Sequence, residues 1–380
     1  MQNIGDIMVN IVKVETKKEQ KKFVDFPLKL YKGNENFVPP LYSDELKMFK
    51  KNYVYNDQCK SIFFNAYKDN VHVGRIQGII QNASNEKWNE RKVRFTRFDS
   101  IDDQEVADAL FNAVKKWALE NEMEYLVGPL GYSDLEREGL LIEGFDELST
   151  FEEQYNYPYY SKLIENIGFV KDVDWVERKL YAPKELDGKF EKLCSYILRK
   201  NKLKIAETKS TSDFIKRYGE KLFKVLDKTY DNLYGTVPFT DGMRKMVISN
   251  FKLILNKKYY AVIVDSDDNV VCFGICIPSI AKAVQKSNGH LTIPTIIRIL
   301  KAKNNPEILD LGLIGVLPEY QMKGVASVLV YEIMKYLLNG ELKYAETNLN
   351  LEDNISIQNQ WKSFDNILHK RRRSYIKKLK

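Results

Sequence analysis

Read for hydrophobic periodicity, the two halves of the chain repeat one order of elements. In the first half, Ser61 to Tyr67 predicts a strand, Lys68-Asp69-Asn70 a turn, and Val71 to Gln81 the returning strand. In the second, Tyr259 to Val264, the turn "DSDDN" and Val270 to Ile277 do the same. Both turns end Asp-Asn-Val (Asp69 to Val71; Asp268 to Val270), and a glycine follows each at Gly74 and Gly274. Asp and Asn tolerate the left-handed backbone that tight hairpins require. The next strand, Lys92 to Phe98, leads to a helix with Val106, Leu110, Val114 and Trp117 on one stripe. Its counterpart, Ile308 to Val316, leads to a helix striped with Val325, Leu329, Ile333 and Leu337. Each half continues with a further strand (Glu124 to Val127; Lys343 to Asn348), a loop, a short helix and a closing strand. The run "KELDGKFEKLCSYILRKNKLKIAE" carries the chain from one to the other, which places a division near Leu186, between domains 1–185 and 186–380. The expected fold class is mixed α/β, with two tandem units, each a central mixed sheet flanked by helices.

Composition narrows the class. The 380 residues suffice for two domains, and 44% hydrophobic with 29% charged residues fits a soluble globular protein. The longest apolar run, around Val270 to Ile280, is far short of the ~20 residues of a spanning helix. The N-terminal stretch has no basic-then-apolar leader. Four scattered cysteines (Cys59, Cys194, Cys272, Cys276) form no CxxC pair, and His72, His290 and His369 show no ligand spacing, so no metal is expected. A reduced cytoplasmic location follows, without a membrane. The net charge of +7 comes partly from the tail "HKRRRSYIKKLK", which reads as a solvated final strand and terminus, or else as a site for an anionic ligand or nucleic acid. No nucleic-acid motif accompanies it. Oligomeric state is left open.

Candidate chemistry concentrates where Ile308 to Val316 meets the following helix. N–H groups at a helix start point outward without partners, and the helix dipole adds partial positive charge. A phosphate fits there if the backbone can come close. Gln321-Met322-Lys323-Gly324-Val325-Ala326 meets that condition: Gly324 has no Cβ, Ala326 is minimal, and Lys323 adds a cation. The competing explanation is a helix whose small residues pack tightly on the sheet.

Val316-x-Pro318 followed by Gln321-x-x-Gly324-x-Ala326 resembles the acyl-CoA motif Q/R-x-x-G-x-G/A of the GNAT superfamily of N-acetyltransferases. The whole chain, with "NFVPPL", "GPLGYSDLEREGLLIEGFDEL" and "YNYPYY", resembles a group of bacterial tandem GNAT-like proteins. The resemblance implies acetyl-CoA or another acyl-CoA as co-substrate, its pyrophosphate on the backbone amides of Gln321 to Ala326. It implies pantetheine along Ile314, Gly315 and Val316, whose strand splays from its neighbour. A backbone N–H near Val316 would then polarise the thioester carbonyl. In the first half, "PYYSKLIENIGFV" resembles the closing part of the fold. The counterpart of the phosphate turn, "SIDDQEVADAL", has Asp102, Asp103 and Glu105 in place of glycine. Carboxylates cap a helix and repel pyrophosphate, so the first domain is expected to lack a CoA site.

For transfer to an amine, the family's proton donor is a Tyr on the last short helix, where this chain has Trp361. Tyr344 and Tyr375 are the substitutes. Asp310, Glu346 and Glu352 are candidate bases, with Glu352 first because "NLEDN" should lie in the loop beyond the strand. Among the aromatic run, Tyr157 and Tyr160 are candidate substrate contacts, with simple packing as the alternative. The function implied is acyl transfer, acetyl foremost, from acyl-CoA to a small-molecule or peptide amine. A non-catalytic acyl-CoA binder or sensor, and an interaction scaffold, are the alternatives that Trp361 keeps open.

Overall fold

The computed structural model describes residues 8–183 and 188–380, so the division expected near Leu186 lies outside the described residues. The chain packs as two compact units. One takes the chain up to Trp175 together with Val284–Thr292 and Lys370–Lys380; the other takes Val176–Ala283 and Ile293–His369. The sequence-based division at 185/186 therefore differs from the packing, which changes unit at Trp175 and returns the C-terminal residues to the first unit.

The first unit contains β1 (Asn10–Lys13), α1 (Lys17–Leu30), α2 (Tyr42–Lys47), β2 (Cys59–Lys68), β3 (Val71–Gln81), α3 (Asn82–Trp88), β4 (Lys92–Ser100), α4 (Gln104–Glu120), β5 (Tyr125–Gly128), β6 (Leu140–Glu143) and α5 (Tyr159–Asn166). Strand β7 (Val170–Tyr181) crosses the division. The second unit adds α6 (Gly188–Lys200), β8 (Lys204–Ile205), α7 (Thr211–Thr229), α8 (Asp241–Ile254), β9 (Tyr260–Val264) and β10 (Val270–Pro278). After α9 (Ala281–Gln285), which crosses the division, come α10 (Ile293–Asn304), β11 (Ile308–Val316), α11 (Pro318–Gln321), α12 (Val325–Leu338), β12 (Tyr344–Thr347), β13 (Asn350–Leu351), α13 (Ile355–Trp361) and β14 (Asp365–Lys378), which crosses it again after His369.

Both predicted hairpins form. Asp69 and Asn70 have φ of 51° and 63°, the paired left-handed conformation of a two-residue hairpin, with Lys68 opposite Val71. In the second hairpin Asp268 takes the left-handed position at φ 61°, and Asp265 Oδ1 accepts from the amides of Asp267 and Asn269. The strand order in the first unit is β1-β2-β3-β4-β5-β14, and in the second β7-β12-β11-β10-β9-β8. Each sheet is antiparallel except for one parallel pair, β4–β5 and β11–β12. A parallel pair needs a crossover, supplied by α4 and α12. The stripes Val106, Leu110, Val114 and Val325, Leu329, Ile333, Leu337 are all buried, while Trp117 is only partly so. Each Val or Leu so buried contributes about 1.5–3 kcal/mol.

The glycines after the two turns differ in office. A Cβ on Gly74 would lie 2.9 Å from Leu110 Cδ1, so glycine there lets its crossover helix approach the sheet, whereas one on Gly274 would lie at an ordinary 3.4 Å contact from Leu329 Cδ1. The basic tail is not solvated, contrary to the sequence-based expectation. Lys370, Arg372 and Ser374 are fully buried, the alternation of a strand with one face inward. Their charge is met inside the first unit: Arg372 lies 3.2 Å and Lys370 3.8 Å from Glu153, and Arg373 pairs with Asp174 at 2.8 Å. All four cysteines are buried and unpaired, as the scattered spacing implied. Among the described residues no helix is long and apolar enough to cross a membrane.

Candidate functional site

Strand β11 has neighbours on both sides for only part of its length. On one side it follows β10 to its end, with Cys272 opposite Val316 and Gly274 opposite Ile314. On the other, its parallel register with β12 runs from Ile308 opposite Tyr344 to Leu311 opposite Thr347. The register with β12 ends at Leu311; beyond it Leu313 to Val316 pair on the β10 side alone among the described residues, with Gly312 in the bulge between Ile275 and Cys276. Ile314, Gly315 and Val316, the stretch for which a splayed strand is expected, lie beyond this paired part. Two features of the opened stretch escaped sequence reasoning. Tyr230, just past α7, donates its hydroxyl to the Ile314 carbonyl at 3.0 Å. A Cβ on Gly315 would meet Phe273 Cε1 at 2.7 Å and Val225 Cγ1 at 3.1 Å, so this glycine serves the packing of α7 on the sheet.

Past Val316, Pro318 begins the short α11, and the chain enters α12 through Gly324 at φ 74°. The left-handed backbone accounts for glycine there, and a Cβ would also come 3.2 Å from Ile197 Cδ1 on α6. Helix packing thus explains part of the small-residue pattern. The helix start itself has no side-chain cap and no acidic residue in its first turn. Gln321, Met322 and Lys323 are exposed, with Lys323 Nζ 4.4 Å from the Tyr320 ring centroid. The corresponding start of α4 is built in the opposite sense. Asp103 caps it by accepting from the Glu105 amide at 3.0 Å, and Lys68 bridges Asp103 (2.8 Å) and Glu105 (3.0 Å).

At the other end of the opening, just before β11 and β12 part, Asp310 sits opposite Glu346 in register. Both side chains are buried. Glu346 Oε1 lies 3.2 Å from Nε2 of His369 on β14, and the side chain of His369 is only 3% exposed. Glu177 on β7 joins them, fully buried. One ligand atom from each of Glu177, Glu346 and His369 falls within a 4.8 Å span, so the three could also hold a cation. Sequence reasoning named Glu346 and Asp310 but missed Glu177 and His369. Their only shared signal is geometric: residues far apart in the chain meet on neighbouring strands.

The other sequence-derived candidates fall elsewhere. Glu352 is exposed on the turn after β13, not enclosed. Tyr344 sits opposite Ile308, at the far end of β11 from the turn at Gln321 to Ala326, and packs near Tyr181. Tyr375 belongs to the first unit, buried opposite Gly128, with its hydroxyl donated to Glu165 at 2.9 Å. Trp361 ends α13 in the core and donates its indole N–H to Asn350 at 2.7 Å, which fixes it as a packing residue. Tyr160 is fully buried, its hydroxyl 2.8 Å from that of Tyr31, and Tyr157 donates to the Leu30 carbonyl at 3.3 Å. Both tyrosines pack the first unit. That unit also encloses a charged cluster the sequence did not disclose: Arg97 holds Glu45 at 3.0 Å, and Arg75 holds Asp99 at 2.8 Å.

No family model matches the chain. Over 379 residues it is 25% identical to Protein YghO of Escherichia coli, covering 96% of this chain and 94% of that protein. Over 291 residues it is 23% identical to the bacterial ceramide synthase of Caulobacter vibrioides, covering 74% and 73%. Among solved structures, the tandem GNAT protein from the clavulanic acid biosynthesis pathway superposes with a TM-score of 0.54 at 10% identity, covering 98% of this chain and 99% of that one. The fold is a tandem GNAT-like fold. The expected tandem GNAT-like architecture and the mixed α/β class expected from periodicity both stand, at the level of the fold.

Proposed function

We propose that the second unit binds acyl-CoA and transfers its acyl group to an amine. The observation that carries this is the opening of β11 from β12 directly before an uncapped, glycine-led helix start. The amides from Gln321 to Ala326 hold the pyrophosphate, and the open stretch from Ile314 to Val316 offers its backbone to the pantetheine arm. The first unit binds no CoA, because Asp103 caps the equivalent helix start and, with Glu105 and the single cation Lys68 between them, keeps it net negative.

Attack of the amine on the thioester carbonyl makes the carbon–nitrogen bond and expels the thiolate. The amine gives up a proton and the thiolate takes one. His369, its Nε2 3.2 Å from Glu346, accepts that first proton, the role of a base beside a carboxylate. The buried pair replaces exposed Glu352 as first candidate. The relative named as a ceramide synthase supports an amine acceptor, since a ceramide is an N-acylated amine. It also widens the donor from acetyl-CoA to long-chain acyl-CoA.

The test is thiol release from acetyl-CoA and from a long-chain acyl-CoA, each with small primary amines and with long-chain amino alcohols. Amine-dependent release is expected. Glu346→Gln and His369→Ala should each lower kcat by about 10²–10⁴-fold with CoA affinity unchanged, and Glu352→Gln by much less. CoA binding without release for any amine would favour the binder that Trp361 suggested.

A further inference from the structure

We infer that the outer face of α10 docks on an anionic lipid surface. Twelve residues long, this helix turns Thr295 and Ile299 inward, where both are buried. Its opposite face is apolar and in solvent: Ile293 is 76% exposed, Ile297 61%, Leu300 39% and Ile296 37%. At 3.6 residues per turn these four side chains fall within roughly 100° of one another around the axis. Single exposed apolar residues are ordinary, but four on one stripe of one helix are not.

The charge around the stripe selects the partner. From Ile293 to Pro306 the sequence has three cations, Arg298, Lys301 and Lys303, and no acid. On the helical wheel Lys301 and Lys303 flank the stripe on either side. An apolar face bordered by lysines suits a helix lying in the plane of an anionic bilayer, with the isoleucines in the acyl boundary and Lys301 reaching headgroup phosphates, while Lys303, whose Nζ donates to the Leu253 carbonyl at 3.1 Å, adds its charge from the other border. At about 18 Å the helix is too short to span. A second copy of the chain is a poorer occupant, since a two-fold contact would bring the same cationic borders together. This inference departs from the sequence-based expectation of no membrane partner, which was drawn from the lack of a spanning segment. Nor does docking depend on acyl transfer.

Flotation of the full chain with vesicles of phosphatidylcholine alone, and of phosphatidylcholine with phosphatidylglycerol, tests the inference. Binding to the mixed vesicles, weakened by salt, is expected. Ile297→Asp should reduce the bound fraction about tenfold, and Lys301→Glu should reduce it on anionic vesicles specifically. Ile293→Asp gives a second reading at the most exposed position, should Ile297→Asp alter the thermal melt. Failure of the wild type to bind mixed vesicles would overturn the proposal, as would equal binding by both aspartate variants. A wild-type dimer that Ile297→Asp converts to monomer, without vesicle binding, would assign the face to self-association instead.

Discussion

Glu138 shows how much a single buried carboxyl shapes this molecule. It is 5% exposed, and its Oε1 has no hydrogen-bond partner among the described residues. Burial, reinforced by the nearby Asp134 charge, pushes its pKa from the ordinary 4.5 to about 8. Below 4.5 the group is protonated in folded and unfolded chains alike and carries no penalty. Between 4.5 and about 8 the unfolded chain ionises while the folded one retains its proton, so stability falls as pH rises, and the loss is complete above 8. The swing is on the order of 4 kcal/mol. Glu138→Gln should therefore melt at a higher temperature than the wild type above pH 8, with the difference closing toward pH 4.5. Melting curves that stay parallel across that range would contradict the assignment. At the same scale, the preference for Glu346 and His369 over Glu352 rests on enclosure: a base held between strands keeps its geometry, and an exposed one does not.

Among the elements, what was legible in the sequence was local. Periodicity found both hairpins and both striped helices, because a half-buried strand and an amphipathic helix each write their burial into consecutive residues. The repeated Gly74 and Gly274 were visible too, but the reason for Gly74 was not, since it lies in Leu110 on a helix that comes later in the chain. The site divides in the same way. The turn from Gln321 to Ala326 is contiguous and could be read, whereas Glu177, Glu346 and His369 are joined by strand pairing alone. The basic tail misled for a related reason: a charge run resembles a solvated segment until Glu153 and Asp174 are placed beside it. Packing at the opened strand gives a direct check. With a Cβ 2.7 Å from Phe273 Cε1, Gly315→Ala should lose about 1–3 kcal/mol in denaturant unfolding. An unchanged midpoint would mean that α7 does not press on β11 there.

Taken whole, the chain carries two units of one plan with opposite treatment of the same helix start, carboxylate-capped in the first and open in the second. That asymmetry is the centre of the functional account, and it predicts one CoA site per chain. Calorimetric titration of acetyl-CoA into the purified protein, beside Gly324→Glu and Met322→Glu, measures it most directly. Met322 is 97% exposed, so its replacement adds charge at the turn without disturbing packing. The account predicts a stoichiometry of one for the wild type, binding abolished by Gly324→Glu and weakened by Met322→Glu. No binding by the wild type, or binding that neither variant alters, would contradict it.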